Sequence, residues 1–158
     1  MFDEVNGLPV HALVLHAAVV FIPLLALGAI AYAIVPRWRS RTGWAALLLA
    51  IVAPVCAFVT RESGVKLYDR VTGRGISAAG RRILDNHMNF GTLTMWFTIA
   101  LGVVTLIMVL ATLRRPGNTL PRAADVGLAV IMVVLAAVTG YYVFQTGDSG
   151  ATAVWGTY

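Results

Sequence analysis

Four long apolar stretches separated by short polar connectors dominate the chain, at residues 9–35, 43–60, 88–113 and 123–145. About 20 predominantly apolar residues carry an α-helix across a bilayer, whose hydrocarbon core is roughly 30 Å thick. Each stretch approaches or exceeds that length, and the interiors hold essentially no Asp, Glu, Lys or Arg. The second is the shortest and contains Pro54, yet its charge-free interior reads as a span. In lipid the backbone must satisfy its own hydrogen bonds, so such stretches are helices. The pattern predicts an all-α integral membrane protein: one domain, residues 1–158, folded as a four-helix up-down-up-down bundle.

The first span is not read as a cleaved leader, because acidic Asp3 and Glu4 precede it and Pro36-Arg37-Trp38-Arg39 follows as a stop-transfer flank. Arg37, Arg39 and Arg41 mark the first connector, and Arg114, Arg115 and Arg122 the third, against Asp125 alone. Short loops rich in arginine stay inside, which puts both termini outside. The segment 61–86 departs from this rule: it holds Arg61, Lys66, Arg70, Arg74, Arg81 and Arg82 against Glu62, Asp69 and Asp85. With four spans it must nevertheless share the side of the termini. It is read as one longer outer loop with a lid or docking role, in which Ile76–Leu84 forms a helical turn capped by Ser77. Pro23 predicts a kink in the first span. Trp38, Trp44 and Trp155 stand at span ends as interfacial anchors. Ala29 with Ala33, and Ala136 with Gly140, offer close helix packing. Each half of the chain repeats histidine, span, arginine-bearing turn, span, which suggests two similar hairpins.

Composition agrees with the pattern. The chain is 59% hydrophobic and 12% charged, far from the roughly 25% charge of a soluble domain. A net charge of +5 would suit nucleic acid, but the basic residues cluster in connectors and form no groove for phosphates. The single Cys56 excludes an intramolecular disulfide. No nucleophile-base pairing or phosphate-binding glycine loop is present, so an enzyme is not the expected class.

The remaining chemistry lies in three histidines. His11 and His16 open the first span and His87 the third, all toward the outer face. In an up-down-up-down bundle these two helices are diagonal neighbours. His16 lies about 140° around the helix from His11, so the two cannot aim at one point. The deeper His16 is expected to pair with His87, with His11 solvated. Facing imidazoles are what a six-coordinate b-type haem requires, and Arg61, Arg81 or Arg82 at the rim would meet its propionates. The alternative is a zinc or copper site of His16, His87 and His11 with Glu62. No histidine lies at the opposite end, which excludes a stacked pair of haems, and charge-free interiors disfavour a pump.

Gly7-Leu8-Pro9-Val10-His11, Leu15-His16 and Pro23, then His87, then the tail Gly147-Asp148-Ser149-Gly150-Ala151 with Val154-Trp155, resemble the bacterial membrane family known as domain of unknown function 2231. The resemblance covers nearly the whole chain. It implies a four-helix protein of the bacterial cytoplasmic membrane in a redox setting, with lipid and other membrane or periplasmic redox proteins as partners. Two functions are expected to compete: one-haem electron transfer or redox sensing, and a non-catalytic accessory subunit of a larger respiratory-type membrane complex.

Overall fold

The computed structural model describes residues 4–5, 8–115, 117 and 119–156, with side chains from Val10 onward. Asp3 and Gly7, used above, lie outside the described residues. A two-residue antiparallel ladder, β1 (Glu4–Val5) with β2 (Leu8–Pro9), leads into α1 (Val10–Ile34). A 3-10 turn at Pro36–Trp38 joins it to α2 (Arg39–Gly73), and α3 (Ala78–Leu113) and α4 (Arg122–Trp155) follow. Each helix packs on its sequence neighbour and α1 closes the ring against α4, while α1 and α3 meet only sparsely across the diagonal. All four helices are long and apolar enough to cross a membrane.

The expected long outer loop contracts to Arg74–Ser77. At 35 and 36 residues, α2 and α3 are each roughly 50 Å long at about 1.5 Å per residue, well beyond the hydrocarbon core. The polar residues after Thr60 are mostly good helix formers, and nothing before Gly73 stops the helix. Gly75 turns the chain at φ +82°, a conformation that favours glycine. Ser77 then caps α3, its hydroxyl accepting from Gly80 N at 3.0 Å. Tyr68 donates to Asp85 at 2.5 Å and ties the two extensions together. That carboxylate holds the Tyr68 hydroxyl above its ordinary pKa.

A seven-residue register runs along every inward face: His11, Ala18, Leu25, Tyr32 on α1; Gly43, Ala50, Ala57, Gly64 on α2; His87, Thr94, Leu101, Met108 on α3; and Ala129, Ala136, Val143, Gly150 on α4. Such a repeat keeps one seam facing the partners in a left-handed bundle. The two hairpins also superpose in sequence. Laying His11 on His87 matches the buried Ala18, Ile22, Leu25, Ala29, Tyr32 and Ala33 with the buried Thr94, Thr98, Leu101, Thr105, Met108 and Val109, without a gap. Laying Gly64 on Gly150 matches Ala46, Ala50 and Ala53 with Met132, Ala136 and Thr139. Gly140, expected to pack beside Ala136, instead faces outward.

The closest helix approach uses a backbone defect. Pro54 has no N–H to give the Ala50 carbonyl one turn back, and Gly102 of α3 lies against that carbonyl. A methyl group at Gly102 would stand 2.8 Å from Ala50 O and 2.7 Å from Pro54 Cγ, neither of which swings aside. Gly102→Ala is therefore expected to destabilise the bundle by about 1–3 kcal/mol, read as a lower thermal midpoint in detergent. An unchanged midpoint would show that α2 and α3 separate freely here.

At the end opposite the histidines, Arg39 is fully buried. Its Nε and Nη2 donate to the carbonyls of Tyr32 and Ala33 at 2.9 Å, which lie in the last turn of α1 and lack helical donors. Its Nη1 reaches Asp125 Oδ1 on α4 at 2.6 Å. Tyr32 donates to Thr112 Oγ1 on α3 at 2.6 Å, because the Thr112 proton is given to Met108 O. One of the connector arginines is thus also a clasp joining three helices.

Candidate functional site

At the other end the seven-residue register places His11 in the first turn of α1, and it brings His87 of α3 to the same level. The His11 Nδ1 lies 3.0 Å from the Thr60 carbonyl oxygen on α2, with Ser63 Oγ at 3.4 Å. The His87 Nδ1 lies 3.0 Å from the Thr146 carbonyl oxygen on α4, with Ser149 Oγ at 3.2 Å. A carbonyl only accepts, so Nδ1 carries the proton in both rings and Nε2 is left with its lone pair. This is the tautomer of a metal-binding histidine whose outer nitrogen is anchored by a carbonyl.

A glycine makes room for each ring. A Cβ at Gly64 would meet His11 Cε1 at 3.1 Å, and one at Gly150 would meet His87 Cε1 at 3.0 Å. The two platforms are the same motif: Thr60-Arg61-Glu62-Ser63-Gly64 and Thr146-Gly147-Asp148-Ser149-Gly150, each Thr-x-x-Ser-Gly. Sequence reasoning singled out the second copy by resemblance and missed the first. The repeated spacing was the signal that would have found it.

The two ring centroids are 6.5 Å apart with planes at 88°. An imidazole nitrogen lies about 1.2 Å from its ring centre and about 2.0 Å from a bound metal, so two imidazoles facing each other across one ion would have centroids about 6.4 Å apart. The observed separation matches that arrangement.

The expected pairing of His16 with His87 is corrected. His16 is exposed, and its Nδ1 bonds the Ala12 carbonyl of its own helix at 2.7 Å. The residue expected to be a bystander, His11, takes its place. Arg81 and Arg82 are exposed on α3 about one and a half turns beyond His87, with Arg81 beside Tyr68. Arg61 lies on the inward stripe of α2, between Ala57 and Gly64, and pairs with Glu62 at 2.6 Å. Glu62 itself is exposed, and its carboxylate is taken up by Arg61. Among the described residues no three His, Cys, Asp or Glu side chains are grouped to hold a metal ion, so the four-residue zinc or copper set does not assemble.

The family model described as "Predicted membrane protein (DUF2231)" matches residues 7–157. No curated protein matches the chain, and no solved structure does.

Proposed function

The chain belongs to the DUF2231 family of membrane proteins, and from that premise we propose that it is a one-electron carrier or redox sensor holding a single b-type haem between His11 and His87. The carrying observation is the pair of anchored imidazoles at 6.5 Å with both Nε2 atoms free. Zinc or copper(II) asks the protein for three or four donors, and among the described residues this end groups two. A haem would bring most of its own nitrogen donors and would need only His11 and His87 from the protein. When bound it would supply a reversible Fe(III)/Fe(II) couple, with no substrate bond to make or break.

The chain's own part is to fix both rings through Thr60 and Thr146, so that each Nδ1 is held and each Nε2 is left to the ligand, and to surround that ligand with apolar helices. We place the histidine end at the outer face of the bacterial cytoplasmic membrane, on the arginines of the two short connectors. A purely accessory subunit would leave two opposed, anchored imidazoles without a purpose.

The test is the reduced-minus-oxidised spectrum of detergent-purified protein from haem-replete cells, with metal analysis of the same sample. The expected result is a low-spin b-type spectrum and about one iron per chain. Near-stoichiometric copper without haem would replace this reading with a two-coordinate copper(I) site. Absence of both would overturn it.

A further inference from the structure

The two hairpins present matching histidine platforms, but they differ at the residue that follows the anchoring threonine. Arg61 follows the anchoring Thr60 on α2, and its counterpart after Thr146 on α4 is Gly147. Position 61 is four residues from buried Ala57 and three from buried Gly64, so it shares their inward face. The Arg61 Nε is buried and makes no hydrogen bond, as does the Thr60 hydroxyl beside it. On the other half the Thr146 hydroxyl is satisfied, bonding Tyr142 O at 2.7 Å and Thr94 Oγ1 at 2.9 Å. Buried polar groups ordinarily find partners. Next to the two histidine platforms both unmet groups therefore lie on the α2 side; the third among the described residues, the Thr139 hydroxyl, is about two turns deeper on α4.

We propose that Arg61, with the Thr60 hydroxyl, receives the carboxylates of the ligand held by His11 and His87, and so selects one of two orientations the doubled site would otherwise accept equally. This rests on the haem reading, in which the carboxylates are the propionates. A guanidinium suits them because it donates several hydrogen bonds in a fixed plane and keeps its charge when partly buried. Gly147 offers no such partner, so the opposite orientation would leave the carboxylates without a cation.

The experiment titrates detergent-solubilised apoprotein with haem and with haem dimethyl ester, in wild type, Arg61→Gln and Arg61→Lys. Helicity and gel-filtration profile confirm that the variants fold. Wild type is expected to prefer the diacid by roughly tenfold, the effect of one charge-assisted contact. Arg61→Gln should erase that preference by weakening the diacid alone, with the ester unchanged. Arg61→Lys should restore part of it. If Arg61→Gln keeps the wild-type ratio, this assignment is overturned and the haem reading stands. If wild type takes up neither compound, the haem reading falls and this assignment with it.

Discussion

Purified His11→Ala and His87→Ala proteins are expected to carry less than about a tenth of the wild-type haem, and His16→Ala the full amount. On the proposed reading each of the first two would lack one of the two residues that hold the haem, and the hole left by the imidazole faces the other ring across the bundle. The remaining histidine alone must then hold the cofactor, and losing one strong ligand bond costs well over the 1.4 kcal/mol of a tenfold change. His16 bonds only its own helix at Ala12 O, so its removal touches neither ring. Haem per chain, measured with circular dichroism as a folding check, reads the result. Loss in His16→Ala together with retention in His11→Ala would restore the pairing that helix depth alone suggests.

Asp125→Ala is expected to destabilise the protein by about 3 kcal/mol, more than any single change at an exposed arginine. It leaves the Arg39 guanidinium fully buried without the carboxylate that now sits 2.6 Å away, and an uncompensated buried charge is costly. Arg39→Ala should be comparably damaging, because the Tyr32 and Ala33 carbonyls at the end of α1 lose their donor along with the ion pair. The double variant Arg39→Met/Asp125→Leu should recover most of the loss, since it removes both charges together. Thermal unfolding in detergent measures all three. A double variant as unstable as the sum of the singles would show that the carbonyl caps, and not the charge pair, hold this end.

Four spans and the Ser77 cap were legible because they depend on local composition and local hydrogen bonding. The phase of each helix was not. In water an apolar stripe reveals the buried face, but in lipid both faces are apolar and the core side is marked by small residues and hydroxyls. Here the marks are Gly43, Ala50, Ala57 and Gly64 on α2 and Thr94, Thr98 and Thr105 on α3. Followed back from Ala18, Leu25 and Tyr32, the same register selects His11 over His16. The rotation of about 140° showed that only one of the two could face inward, but depth in the membrane could not say which; the register does. The outer loop was misjudged for a related reason: polarity ended the span at Thr60, and the helix went on to Gly73.

Low-temperature electron paramagnetic resonance of the oxidised protein bears most directly on the central claim, that His11 and His87 bind one iron from opposite sides. Rings held at 88° are expected to give a single low-spin ferric signal of the strongly anisotropic kind, with its main feature at low field, typical of perpendicular axial imidazoles. A wholly high-spin haem signal, a copper(II) pattern, or no signal from protein made in haem-replete cells would contradict it.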